Sequence, residues 1–245
     1  MRGIILAGGT GQRLDPLTRI TNKHLLPVYD RPMIYYAVEQ MAGAGLDRIM
    51  IVTGGNHAGE FLRLLGSGSA FGLRHLDYAY QEKSGGIAEA LGLAEYFAGG
   101  EPVVVLLGDN IFEFSIAGTV KRFAADPRGA RIVLAKVDNP AAYGVAEMRD
   151  GTLRRIVEKP QEPPSDLVGT GLYCYDARVF AMVKTLKPSG RGELEITDVN
   201  NRYLQLGELR HEELTGYWAD CGESFDMLLR ANRLVAERGA NKPLP

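Results

Sequence analysis

Four strand-like runs are spaced along the first 110 residues: RGIILAG from Arg2, RIMIVTG from Arg48, HLDYAYQ from His75 and PVVVLLGD from Pro102. Three of them are apolar with almost no alternation. A strand that is apolar on both sides must be covered on both sides, which is the condition of a parallel sheet between two layers of helices. The segments between the runs have helical spacing. In PMIYYAVEQMAGAG, residues Ile34, Ala37, Val38 and Met41 fall on one helical face. Pro32 suits the first turn of that helix and Gly43 the last. A second helix passes through Phe61 and Leu65, and a third runs through GIAEALGLAEYFA.

After Asp138 the pattern changes. YGVAEM, TLRRIVEKP and VGTGLYCYD are short strands separated by turn residues, so the sheet gains an antiparallel section. Helices over about 196–206 and 224–237 close the chain. No internal repeat, low-complexity segment or linker divides it. The expected fold is α/β: one domain over residues 1–245, a three-layer α/β/α, Rossmann-like arrangement around a mixed sheet, mostly parallel.

Charge and cysteine content narrow the partners. The net charge is −2, so there is no basic field for nucleic acid. Cys174 and Cys221 form no disulfide framework and lack metal-ligand spacing. Two free thiols suit a reducing compartment. No stretch is apolar enough to cross a membrane and no signal-peptide pattern leads the chain, so a cytoplasmic protein is expected. None of the four histidines sits in a ligand pair, and no Ser or Cys stands in a nucleophile elbow.

The chemistry is expected where strands end. The first strand empties into LAGGTGQRL, Leu6 to Leu14. Glycines there present bare backbone N–H groups, which bind phosphate. A P-loop would continue Gly-Lys-Ser/Thr, whereas Gly11 is followed by Gln12 and Arg13. A dinucleotide fingerprint would need a third glycine where Leu14 stands. Arg13 and Lys23 nevertheless add two cations beside the loop, which suits a polyphosphate. The run VVVLLGDN ends in Asp109 and Asn110, beyond the carboxyl end of a strand, where α/β sheets bind ligands. Asp109 there could hold Mg²⁺ or cap the next segment. Asp220 in GYWADCGES reads by itself as a turn or cap residue, and spacing alone does not bring it to Asp109. Glu158-Lys159 ends a strand and could form a clustered pair.

Taken together these stretches resemble the sugar-phosphate nucleotidylyltransferase family. LAGGTGQRL with Lys23 in NKHLLPVYDRPMIYY resembles its nucleotide-binding signature. YQEKSGGIAEAL, LLGDNIF, YGVAEM, EKP, TGLYCYD, RGELEITDVN and GYWADCGES resemble, in order, the later blocks of its glucose-1-phosphate thymidylyltransferase branch. The resemblance runs from Arg2 to about Asn232. It departs at GGIAEAL, where longer relatives have a DGLAQA-like form, at Gly169, where many carry valine, and at Ala219 and Cys221 beside Asp220.

The resemblance implies a nucleotide-diphospho-sugar transferase fold, with a nucleotide-binding half over about 1–110 and a sugar-binding half over about 111–245. It implies that Leu6, Gly8, Gly9, Gly11, Arg13 and Lys23 bind nucleotide, with Gln81 and Gly86 on the pyrimidine edge. Asn110, Tyr143, Gly144, Glu158, Lys159, Thr170, Gly171 and Trp218 would surround the sugar phosphate. Asp109 and Asp220 would hold Mg²⁺, and Arg13, Lys23 and Asp109 would be catalytic. The implied reaction takes dTTP and glucose 1-phosphate to dTDP-glucose and pyrophosphate, for deoxysugar (dTDP-rhamnose type) synthesis. UTP or another hexose phosphate would use the same chemistry, and a non-catalytic nucleotide-sugar sensor is a further reading. The expected assembly is a homo-oligomer, dimer or tetramer. Longer relatives continue with C-terminal helices that build a second nucleotide site, so a reduced feedback site is expected here.

Overall fold

A computed structural model describes residues 1–9 and 11–244. The chain opens with β1 (Arg2–Ala7), the short hairpin β2 (Pro27–Val28) and β3 (Arg31–Pro32), and α1 (Met33–Gly43). There follow β4 (Arg48–Gly54), α2 (Ala58–Leu65), β5 (His75–Gln81), α3 (Ile87–Gly92), α4 (Glu95–Ala98) and β6 (Val103–Leu107). Next come β7 (Asn110–Phe112), α5 (Ala117–Ala125), β8 (Ala130–Lys136), β9 (Gly144–Arg149), β10 (Thr152–Glu158) and β11 (Leu167–Tyr175). The last elements are α6 (Val179–Val183), α7 (Ile196–Gln205), β12 (Leu209–Glu213), β13 (Trp218–Asp220) and α8 (Phe225–Arg238).

The unbroken apolar strands do what their sequence requires. β1 feeds two cores at once: Ile5 and Ala7 pack with α1, α2 and α5 on one face, Ile4 and Leu6 with α3, α6 and α7 on the other. β6, β1, β4 and β5 lie side by side and parallel. The antiparallel section follows, as the short strands imply: β11 runs against β6, β8 and β9, and β9 against β10, while β12 joins β8 in parallel. A third cluster, with Leu14, Tyr36, Ile111, Ala219 and Val235, seats α8 against β13. Ser224 caps α8, its hydroxyl accepting from the Met227 N–H at 3.2 Å. Cys174 and Cys221 are buried and not joined.

β11 is the strand on which the site depends. Its second half, Leu172–Tyr175, pairs with β6, whereas Val168 in its first half pairs with β9. The register against β8 shifts between Gly169 and Tyr173. The sheet therefore forks at Gly169–Gly171, and a pocket opens in the fork.

Three local differences from the sequence reading have plain causes. Pro32 ends β3 and stands just before the first turn of α1 rather than within it. The helix expected through GIAEALGLAEYFA is two helices, because the chain leaves helical geometry at Ala94. The apolar run ARIVLAK becomes β8, which the sequence reading did not include.

Candidate active site

β1, β4 and β6 end on one edge of the sheet, and two clefts open there. The first, of about 210 Å³, is lined by Leu6, Gly8, Gly9, Lys23, Gln81 and Gly86, together with Asp109. Ser84, Ile87 and Glu193 join them. Gly86 explains how Glu193, from the distant RGELE stretch, arrives. It holds φ +101°, and a Cβ on it would stand 2.5 Å from the Leu194 carbonyl oxygen. This close approach lets Leu194 N–H reach Gly85 O at 2.7 Å and Ala88 N–H reach Leu194 O at 3.1 Å. Gly11 lines neither cleft. Its carbonyl accepts from Thr18 Oγ1 at 3.0 Å, folding the loop back beside Lys23.

The second cleft, of about 220 Å³, lies in the fork of the sheet. It is lined by Arg13, Lys23, Asn110, Tyr143, Gly144, Glu158, Lys159, Gly171, Trp218 and Asp220. Lys159 has the uncommon φ of +41° for a side-chain-bearing residue, fixed by its N–H on Tyr143 O at 2.9 Å. The Tyr143 and Trp218 rings meet edge to face at 5.4 Å and wall one side. Asn110 is committed inside the protein: its Oδ1 accepts from Trp218 Nε1 at 2.6 Å and Gly171 N–H at 3.0 Å. Its Nδ2 donates to Asp109 Oδ1 at 2.9 Å. Thr170 points the other way. Side chains alternate along a strand, so Gly169 and Gly171 face the cleft while Thr170 is fully buried behind it, donating to Val133 O at 3.0 Å. Its side chain belongs to the core rather than to this cleft, where the resemblance had set it. The Glu158–Lys159 pair is loose at 3.9 Å; Glu158 instead accepts from Thr197 Oγ1 and from Arg191 Nη2, the latter at 3.2 Å.

Lys23, Ile87 and Leu107 line both clefts, and Lys23 is the charged member of the seam. β13 pairs antiparallel with β7, opposing Asp220 to Asn110, and the Cys221 N–H reaches Asp109 O at 2.9 Å. This ladder brings together the two carboxylates that spacing left apart. Lys23 Nζ donates to Asp109 Oδ2. Burial works against the Lys23 charge, but Asp109 and Asp220 outweigh it and hold its pKa above the ordinary lysine value. Burial likewise would raise Asp109, yet Lys23, with the Asn110 hydrogen bond, keeps it below the usual carboxylate range. Asp220 has no such partner. Burial and the neighbouring Asp109 charge push its carboxyl up to about 7.

One lysine thus faces two carboxylates. Asp220 Oδ1 accepts from the Gly222 N–H at 3.0 Å, and Oδ2 accepts no hydrogen bond from the described residues. Two oxygen-only groups with surplus negative charge fit a hard divalent cation such as Mg²⁺. Among the described residues no cluster of three or more His, Cys, Asp or Glu side chains could hold a metal alone. The remaining ligands would be phosphate oxygens and water, as Mg²⁺ commonly takes them. His24, for which the sequence implies no chemical role, lines the first cleft together with Lys23. Burial, and then the Lys23 charge, hold its ring neutral, lowering its pKa to about 3. No local sequence signal marked it. Arg13 is exposed and makes no ion pair among the described residues.

With this geometry in view, the comparisons with known proteins are specific. The chain is 46% identical over 226 residues to a glucose-1-phosphate thymidylyltransferase of Neisseria meningitidis, covering 91% of this chain and 78% of that one. It is 44% identical over 238 residues to the protein of the same name in Mycolicibacterium smegmatis, covering 96% and 82%. A Bacillus anthracis protein crystallised with sucrose superposes with a TM-score of 0.91 at 50% identity, over 96% of this chain and 94% of that one. A UDP-glucose pyrophosphorylase bound to UDP-glucose shares the fold at a TM-score of 0.82 and 23% identity. No helix among the described residues is long and apolar enough to cross a membrane. The nucleotidyl transferase family model spans residues 2–238, the glycine loop, the seam lysine and both carboxylates included, and the chain belongs to that family.

Proposed function

We propose that the paired clefts join dTTP and glucose 1-phosphate into dTDP-glucose and pyrophosphate. The relatives' shared name supports the substrates. The observation that carries the reading is Lys23, which lines both clefts at once with Asp109 bound to it. A cation at that point is where two anions would have to meet.

In this reading Gly8, Gly9 and Arg13 receive the triphosphate, and the base lies between Gln81 and Gly86. Lys159, Gly144 and Glu158 receive the sugar phosphate in the fork of the sheet. A phosphate oxygen of the sugar forms a bond to the α-phosphorus as the bond to the bridging oxygen breaks, and pyrophosphate leaves. The nucleophile is already an anion, so no general base is needed. The chain's task is to align two repelling anions and to stabilise spreading charge. Lys23 and Arg13 have the sign for that, Arg13 as a planar fork. Asp109 and Asp220 would hold Mg²⁺, which supplies charge neutralisation at the phosphates.

Pyrophosphate release across a panel of nucleoside triphosphates and sugar 1-phosphates tests the reading. The expected maximum of kcat/KM is with dTTP and glucose 1-phosphate. Release with no pair in the panel, or only with a purine triphosphate, would overturn it.

A further inference from the structure

Gln81 is buried at the rim of the first cleft, 7% exposed. Its carboxamide has two chemically opposite ends, and which end faces the ligand decides what it can read. Nε2 lies 2.6 Å from Glu89 Oε2 and 3.4 Å from the Gly86 carbonyl oxygen. Both neighbours are acceptors. A carboxylate accepts and does not donate, so the NH₂ end must turn toward Glu89. The opposite assignment would set two oxygens 2.6 Å apart.

Glu89 is itself held. Its Oε2 also accepts from the Gly85 N–H at 3.1 Å, and it sits in the first turn of α3, where a negative charge is favoured. Gly85 is needed for this, since a Cβ there would stand 2.3 Å from the carboxylate. The other end of Gln81 then has one direction left. Oε1 lies beside Gly8, 2.7 Å from where a Cβ would be, and accepts no hydrogen bond from the described residues. Gly8 lines the same cleft. A hydrogen-bond acceptor with a fixed orientation thus stands in the first cleft beside Gly8.

We infer that Glu89 is a positioning residue: it locks the Gln81 carboxamide so that an acceptor faces the base, and the cleft therefore selects a pyrimidine with a ring N–H there. The inference rests on the proposed function and deepens it. A uracil-type ring carries hydrogen on N3, whereas cytosine has a lone pair at that atom. A lone pair meeting Oε1 would leave two acceptors opposed, which a buried site penalises strongly. The 5-methyl group plays no part in this discrimination.

The test uses dUTP and dCTP, which differ only along that edge, with glucose 1-phosphate as acceptor. The ratio of their kcat/KM values is compared in wild type, Glu89→Met and Glu89→Gln. Methionine keeps the shape and removes the acceptor. Glutamine keeps an oxygen that can accept from both Gly85 and Gln81. The expected result is a dUTP:dCTP ratio lowered about tenfold or more in Glu89→Met, largely restored in Glu89→Gln, with the dTTP:dUTP ratio unchanged in both. Circular dichroism and dUTP binding by calorimetry establish that each variant is folded. A ratio in Glu89→Met within twofold of wild type, in folded protein, would overturn the inference and leave the proposed function standing. Wild-type protein that uses neither dTTP nor dUTP would overturn both.

Discussion

Gly222 packs so closely on Asp109 that a Cβ on it would stand 2.5 Å from Oδ2, and 2.7 Å from Lys23 Nζ. The smallest possible enlargement therefore strikes the ion pair at the seam of the two clefts. Asp109 cannot retreat easily, because Asn110 holds its other oxygen. Gly222→Ala is expected to cost about 1–3 kcal/mol of stability and to lower kcat at least tenfold. Thermal unfolding and pyrophosphate release measure the two effects. Wild-type kcat in this variant would mean that the pair can shift without consequence.

Asp109→Asn keeps the shape of the side chain and removes its charge. Lys23 then has only Asp220 nearby, and the proposed metal pair loses one member. Turnover is expected to vanish while the fold and nucleotide binding persist. Activity within a few-fold of wild type at saturating Mg²⁺ would refute the role given to Asp109.

Arg13→Lys should leave stability unchanged, because Arg13 is exposed and makes no ion pair among the described residues. Lysine retains the charge but not the bidentate fork. The expected loss in kcat/KM is about tenfold or greater, roughly 1.4 kcal/mol. Steady-state kinetics that match wild type would place this side chain outside the reaction.

With Asp220 in the proposed metal pair, metal binding would depend on pH. Its carboxyl is raised to about 7, so below that pH a proton occupies the oxygen the metal would take. Mg²⁺ affinity is expected to rise with pH through about 7 and to level off above it, with proton release on binding. For the metal-free protein the sign reverses: a raised carboxyl favours the protonated fold, so its contribution to stability falls as pH climbs from about 4 to 7. Calorimetry in buffers of different ionisation enthalpy counts the protons, and a count of zero at pH 6.5 would contradict the assignment.

Glu212 predicts the acid limb of stability. Its carboxylate accepts from Thr119 Oγ1 at 2.8 Å and Arg122 Nε at 2.8 Å, and pairs with Arg131. Burial would raise its pKa, but the Arg122 and Thr119 hydrogen bonds prevail and lower it to about 2. A depressed carboxylate stabilises the fold above its unfolded pKa, near 4.5, and loses that contribution as pH falls toward 2. Glu212→Gln should cost about 1–2 kcal/mol at neutral pH, after discounting for solvent screening, and flatten stability between pH 5 and 2. Denaturant melts at those pH values provide the comparison.

The part of the site carried on single strands was legible in the sequence. β4 and β5 begin and end where RIMIVTG and HLDYAYQ do, and Gly8 and Asp109 follow the ends of β1 and β6, while Lys23 comes from a short turn before β2. What was hidden depends on pairing between distant segments. Asp220 reaches Asp109 only because β13 lies against β7, and a ladder between segments about 110 residues apart leaves no local trace. Glu193 comes to the first cleft through backbone bonds between Leu194 and Gly85, again without a spacing rule. Thr170 separates from its neighbours Gly169 and Gly171 by strand alternation, which becomes decisive only once the fork shows which face is open.

The fork in the sheet also bears on how the pocket can be altered. Main chain at Gly169–Gly171 forms part of its lining, where β11 parts from β6 to reach β9, and the two glycines differ in what they can accept. A Cβ at Gly171 would strike Leu107 and Asn110 Oδ1 at 2.7 Å. A Cβ at Gly169 would meet only the Gly144 carbonyl oxygen, at 3.8 Å, so under the proposed function a change of sugar would proceed from Gly169 and from the walls, Tyr143, Trp218 and the Glu158–Lys159 corner. A library that randomises those positions and leaves Gly171 alone keeps the fork intact.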